Sequence, residues 1–237
     1  MSNITFKKGN IFSSDKQTIV NTINCVGVMG KGVALGFRLR YPEMYKKYKE
    51  FCKNKQITIG KLWLYKRPQE DSKWVLNFPT KFHWKYPSKM EYLEAGLQKF
   101  VETYQEKGIT SIAFPLLGTH NGGLDKIDVL NIMHFYLDKC SIPIEIYEYD
   151  SKAPDELYKQ FKDKWMSMSI YDKKNLGIRA NQIVVIEKIL NDINNSSMTS
   201  LSECNGIGIV TLQKCFNLIL NYKEQPISHQ MVFLKNL

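Results

Sequence analysis

Two short glycine-rich loops carry the first chemical signal, because each follows a strand-like run and precedes a helical one. Gly30 and Gly32 flank Lys31 in Val26-Gly27-Val28-Met29-Gly30-Lys31-Gly32. Gly118, Gly122 and Gly123 punctuate Leu117-Gly118-Thr119-His120-Asn121-Gly122-Gly123. Glycine lets backbone N–H groups approach a phosphate closely, and the start of the following helix favours negative charge. Neither loop is a Walker sequence or a G-x-G-x-x-G, which argues against kinase, GTPase and dinucleotide-fold readings. One such loop alone reads as an ordinary turn. Two in matching positions of one sheet point to a diphosphate ligand.

Asn21 and Asn24 close a buried-looking strand in Val20-Asn21-Thr22-Ile23-Asn24-Cys25. Polar side chains there must find hydrogen-bond partners: either they pin the adjacent loop, or one of them holds a ribose hydroxyl. Lys81-Phe82-His83-Trp84-Lys85-Tyr86-Pro87-Ser88-Lys89 interleaves aromatics with lysines and contains no acid. Stacking faces beside cations suit single-stranded nucleic acid; the alternative is a solvated loop whose Trp84 and Tyr86 plug the core. His83 and His120 are acid–base candidates without an accompanying carboxylate at a telling spacing.

The elements that must position these residues alternate along the first 150 positions. Ile4–Lys8, Thr18–Asn24, Leu62–Lys66, Trp74–Phe78, Ser111–Pro115 and Ile144–Tyr149 read as strands. A helix runs from about Val33, breaks at Tyr41-Pro42 because the residue before proline disfavours the α region, and resumes over Glu43–Lys53. Ser88 and Glu91 form the pattern of a capping box ahead of a helix whose Leu93, Leu97, Phe100, Val101 and Tyr104 share one face, with Gly108 as its C′ residue. Asp125 caps a helix to about Lys139. Strand–loop–helix units in series predict an α/β fold, a mixed, mostly parallel sheet flanked by helices, with ligands at the carboxyl ends of its strands. Residues 151–237 read as a separate small α-helical module: a connector over Ser151–Trp165, a helix over Asn181–Ile193, a polar break at Asn194–Ser197, and a turn Cys204-Asn205-Gly206-Ile207-Gly208 before a helix to about Asn221.

The chain of 237 residues carries 33 basic and 23 acidic side chains, a formal charge of +10 that favours polyanionic partners. Five scattered cysteines without a C-x-x-C pair read as reduced thiols, and four histidines show no metal-ligand spacing. With no apolar run near the ~18 residues of a membrane span and no secretory pattern at Met1–Lys7, a cytoplasmic protein is expected. Neither a metal nor a cofactor is expected.

The strings Val20-Asn21-Thr22-Ile23-Asn24-Cys25-Val26-Gly27-Val28-Met29-Gly30-Lys31-Gly32 and Asn77-Phe78-Pro79-Thr80-Lys81, with His83-Trp84 and Gly118 to Asp125, resemble the macrodomain family over residues 1–150. They are most similar to its DarG-type antitoxin branch, which removes ADP-ribose from DNA. The resemblance implies a three-layer macrodomain binding ADP-ribose through Asn10, Ile11, Asn21, Met29, Gly30, Lys31, Gly32, Thr80, Gly118, Thr119, His120, Asn121, Gly122 and Gly123. It implies Asn24 beside the distal ribose and Lys81 as the catalytic lysine, attacking ribose C1″ or forming a Schiff base with the opened sugar. Lys85 or Lys31 could depress its pKa. The expected substrate is ADP-ribosylated single-stranded DNA, the product ADP-ribose, and a further partner a DarT-like toxin.

Three departures from the family pattern stand out. Gly9-Asn10-Ile11 replaces a string with an adenine-binding aspartate, and Gly118-Thr119-His120 replaces glycine-cysteine-glycine. Gly122 stands where the related human terminal ADP-ribose glycohydrolase has a catalytic aspartate. His83, Trp84 and Lys85 are the expected DNA contacts beside the cleft. The Gly206-Ile207-Gly208 turn resembles a helix-hairpin-helix motif that would offer amides to a DNA phosphate. A macrodomain that binds ADP-ribose without hydrolysing it, and a toxin-sequestering protein with a weakly active macrodomain, are the alternative readings.

Overall fold

The computed structural model describes residues 3–67, 73–150 and 152–220. Six strands, β1 (Ile4–Gly9), β2 (Thr18–Asn24), β3 (Trp63–Tyr65), β4 (Trp74–Lys81), β5 (Ile112–Pro115) and β6 (Ile144–Tyr149), form one sheet in the order β1-β6-β5-β2-β4-β3. All neighbours pair in parallel except the edge strand β3, which runs antiparallel to β4. The sheet is thus mixed and mostly parallel, as the alternation of strand and helix patterns predicts.

Helices α1 (Gly32–Arg40), α2 (Pro42–Lys53), α3 (Met90–Thr103) and α4 (Lys126–Leu137) cover the sheet. The α1–α2 break falls at Tyr41, with Pro42 opening α2 where its missing N–H costs nothing. On one face Leu76, Phe78 and Phe114 pack with Leu93, Leu97 and Phe100 of α3 and Val129 and Met133 of α4. On the other, Ile19 and Ile23 pack with Phe37, Met44 and Tyr48 of α1 and α2. Apolar residues on both faces of β2 and β4 explain why these strands read as near-continuous hydrophobic runs.

Two local readings are corrected. The capping box Ser88–Glu91 does not form: α3 starts at Met90 with Lys89 at the N-cap and no side-chain cap bond. The Ser88 N–H instead donates to Gly122 O at 2.9 Å, so Ser88 serves a loop rather than a helix. Strand β4 continues past Phe78 to Lys81. Its pairing with β2 steps from Ile23↔Pro79 to Asn24↔Lys81, leaving Thr80 as an extra residue. That bulge accommodates Pro79, which has no N–H for the ladder, and carries the strand on to Lys81.

Beyond the sheet, α5 (Tyr158–Ser167), α6 (Ile170–Asn175), α7 (Ala180–Asn191), α8 (Thr199–Ser202) and α9 (Ile209–Leu220) enclose Phe161, Trp165, Ile186, Leu190, Leu201 and Phe216. Leu35 and Leu39 of α1 belong to the same apolar cluster. Buried Arg40 pairs with Asp155 at 2.7 Å and Glu156 at 3.1 Å, with its guanidinium over the ring of Phe12. The expected connector helix begins only at Tyr158, and α6 was not anticipated. Ser151 and the expected helix end near Asn221 lie outside the described residues.

Candidate active site

The crevice opens where the strand order reverses. β2 pairs with β4 along its length but with β5 only at Thr18↔Ile112 and Ile19↔Ala113. Past those pairs the carboxyl ends of β2 and β5 separate, which in open α/β sheets is where ligands sit. The two glycine loops emerge from those two strand ends, Cys25–Lys31 after β2 and Leu116–Leu124 after β5.

The first loop is built on Asn24. Its side-chain oxygen accepts from Val26 N at 3.1 Å, Val28 N at 3.2 Å and Tyr48 Oη at 3.1 Å, and its Nδ2 donates to Val28 O at 2.6 Å. Tyr48 Oη also donates to the Asn24 carbonyl at 2.6 Å, and burial pushes this phenol far above its ordinary pKa. Asn24 therefore pins the loop. Its oxygen is fully engaged, and its Nδ2 keeps one N–H beyond the bond to Val28 O. Asn21 is buried, donating to Asn77 Oδ1 at 2.9 Å and lying 3.9 Å from Met29 Sδ, itself fully buried. Gly30, Lys31 and Gly32 are exposed, and α1 starts at Gly32 without a side-chain cap. Its first amides are free to meet an anion.

The second loop folds back on itself, with Leu124 N donating to Gly118 O, Gly123 N to Thr119 O and Thr119 Oγ1 to Leu116 O. Gly118 and Gly123 hold positive φ angles of 66° and 77°. His120 and Asn121 are exposed, and the His120 ring centroid lies 6.0 Å from that of Tyr149 at the end of β6. The two loops meet: a Cβ at Gly32, whose φ is +56°, would stand 2.6 Å from Asn121 Nδ2.

Lys81 lies between them. It is the cross-strand neighbour of Asn24, and its Nζ donates to Asn121 O at 2.6 Å. Partial burial holds its pKa below the ordinary lysine value. Desolvation alone accounts for that shift, so the expected electrostatic help from Lys31 or Lys85 is not what lowers it. A second nucleophile is disfavoured nearby, since burial pushes the Cys25 thiol up to about 11. Asp125, the first acid after the loop, is spent as the N-cap of α4, accepting from Ile127 N and Asp128 N.

Asn10 caps a short 3-10 turn over Ile11–Ser13, its Oδ1 accepting from Phe12 N at 3.1 Å, and Ile11 and Thr80 are buried. Beyond Lys81 the aromatics face outward: Phe82, Trp84 and Tyr86 are 60%, 49% and 65% exposed, which removes the alternative that Trp84 and Tyr86 plug the core. The His83 ring stacks on Trp84 at 5.5 Å, and Lys85 lies over the same indole. Gly206 and Gly208 are exposed in the turn between α8 and α9, and the Gly206 carbonyl accepts from Gln182. Sequence reasoning missed three residues that shape the site, Tyr48, Asn77 and Ser88. Spacing assigns a role only to the last of them, that of a helix cap.

A parallel-rich α/β sheet with two glycine loops and an uncapped helix start at its switch point has the arrangement in which open α/β sheets receive anionic ligands. Residues 20–133 match the Macro domain family model. The DNA ADP-ribosyl glycohydrolase of Mycobacterium tuberculosis is 49% identical over 127 residues, which are 53% of this chain and 36% of that protein. The solved macrodomain of M. tuberculosis DarG superposes with a TM-score of 0.56 at 44% identity, covering 61% of this chain and 96% of that one. Thermosipho africanus DarTG in complex with ADP-ribose superposes at 0.59 with 40% identity, covering 63% and 42%. The chain belongs to the macrodomain family. It spans little more than a third of the length of the curated relative it matches.

Proposed function

We propose that the protein is an ADP-ribosyl glycohydrolase that releases ADP-ribose from modified bases in single-stranded DNA and so counteracts a DarT-like DNA ADP-ribosyltransferase. The observation that carries this reading is Lys81 Nζ, a partly desolvated amine standing between both glycine loops at 2.6 Å from Asn121 O. Similarity to proteins named DNA ADP-ribosyl glycohydrolase supports it.

The glycine loops and the α1 amides hold the diphosphate, and the amide of Asn24 sits beside the distal ribose. Deprotonated Lys81 attacks ribose C1″ as the C–N bond to the base breaks, the electron pair leaving on the base nitrogen and taking up a proton. Water then attacks C1″, freeing ADP-ribose and returning the amine. The exposed Trp84, stacked on His83 and flanked by Lys85, offers a platform for a neighbouring base and a cation for its phosphate. The Gly206–Gly208 turn is a second candidate phosphate contact, and the division into a catalytic unit over 1–150 and a helical module over 151–237 belongs to the same proposal.

Incubation with an ADP-ribosylated single-stranded oligonucleotide tests it. Release of ADP-ribose is expected. Tight retention without release would favour a reader of ADP-ribose, and neither binding nor release would favour a protein that acts on the toxin itself.

A further inference from the structure

Ser88 carries a buried hydroxyl that the fold itself gives no hydrogen-bond partner. The residue is 4% exposed, and its Oγ has no hydrogen-bond partner. It lies against the inner side of the second glycine loop, 2.5 Å from where a Cβ at Gly122 would stand and 3.3 Å from one at Gly118. A buried hydroxyl left unpaired is costly, so its orientation toward one loop calls for a reason.

The outer side of the same loop carries the contact to Lys81. Asn121 C=O faces Lys81 Nζ in the crevice. A trans peptide holds its C=O and N–H on opposite sides. The Gly122 N–H, which shares that peptide plane, is therefore turned away from the lysine. In this arrangement the loop can present a carbonyl to the lysine or an amide to an anion on the lysine side, but not both from this peptide.

We propose that the Asn121–Gly122 peptide turns over when a diphosphate enters the crevice: the Gly122 N–H then faces the phosphate oxygens, Lys81 is released from the Asn121 carbonyl, and Ser88 Oγ–H receives that carbonyl on the buried side. Ser88 is thus a positioning residue for Lys81, acting through the loop. The inference rests on reading the crevice as an ADP-ribose site. Glycine at position 122 suits both states. A Cβ there would run into the Gly118 carbonyl oxygen now, and a peptide turn of about 180° swings its φ across zero, which side-chain-bearing residues resist. The carbonyl that now accepts from Lys81 favours the ammonium form, so losing it exposes the amine whose pKa burial already lowers.

Ser88→Ala in the full chain separates this role from a plain structural one. Three readouts are compared with wild type: the melting temperature without ligand, ADP-ribose affinity by calorimetry, and the single-turnover rate on ADP-ribosylated oligonucleotide at saturating enzyme. An unpaired hydroxyl contributes nothing to the free protein, so the melting temperature is expected to hold or rise. Affinity should fall about tenfold, the worth of one hydrogen bond, and the single-turnover rate should fall with it because Lys81 stays tied to Asn121. A lowered melting temperature with unchanged affinity and rate would overturn the proposal, as would an ADP-ribose complex in which Lys81 Nζ still bonds Asn121 O. Wild-type protein that fails to bind ADP-ribose would overturn the reading of the crevice and this proposal together.

Discussion

The two glycine loops face each other across one crevice, yet they are held in different ways. The loop after β2 is tied by the side chain of Asn24, which bonds three backbone polar groups of Val26 and Val28 with Tyr48 Oη behind it. The loop after β5 is held by its own backbone turns, by Ser88 N on Gly122 O, and by the Lys81 ammonium, with a partnerless hydroxyl beneath it. A loop tied through several polar groups to one side chain loses several bonds if it moves; one resting on a lysine and an idle serine has a second arrangement within reach. On the reading proposed above, the first is a fixed wall against which ribose and phosphate would be placed. On the same reading, the second is the wall that adjusts to the ligand and to Lys81.

Substitutions in the fixed wall should therefore cost stability as well as binding. Asn24→Ala removes four side-chain hydrogen bonds, three accepted and one donated, and should lower unfolding free energy by about 4 kcal/mol at roughly 1 kcal/mol per net bond, with ADP-ribose affinity falling alongside. Chemical denaturation with calorimetry checks this. Wild-type stability would show that the loop holds itself and that the contrast between the two walls is mistaken. Trp84→Ala lies outside both walls. It should weaken binding of modified oligonucleotide by about 1–3 kcal/mol, the range for a lost base stack, while free ADP-ribose binds as before; equal losses for both ligands would place the indole in the crevice instead. The smallest effect belongs to Tyr48→Phe, which keeps the packing and removes only the phenol behind Asn24. A stability loss of about 1 kcal/mol is expected, and a loss as large as that of Asn24→Ala would mean that the tyrosine, not the asparagine, anchors the loop.

Much of this arrangement is legible in the residues. Glycines between a strand and a helix, asparagines at the end of an apolar strand and a lysine-aromatic run name the crevice before any coordinates, because their residue types are costly elsewhere. Asp125 reads correctly as a cap, accepting from two backbone amides, since capping is local. The misreadings concern partners distant in sequence. Ser88 and Glu91 have the spacing of a capping box, but Ser88 N is bound by Gly122 O, 34 positions on, and the helix starts later. Pro79 suggests a strand end, and only the pairing with β2 reveals that a bulge at Thr80 carries β4 to Lys81. Tyr48 lies on the buried face of an amphipathic helix, where periodicity reports burial but cannot report that its hydroxyl reaches Asn24. Likewise, neighbouring lysines suggested a charge-based cause for a depressed Lys81, whereas burial supplies it.

The most direct measurement is single-turnover release of ADP-ribose from a modified single-stranded oligonucleotide by wild type and Lys81→Ala, across pH, with ADP-ribose affinity determined for both. Wild-type rate should rise with pH as Lys81 loses its proton and level off below the ordinary lysine value of 10.5, because burial lowers this pKa. Lys81→Ala should retain under a tenth of the wild-type rate at every pH while its ADP-ribose affinity stays within about tenfold, roughly 1.4 kcal/mol. A variant that keeps more than a tenth of the rate, or a wild-type profile that does not rise with pH, would contradict the assignment of Lys81 as the reacting amine.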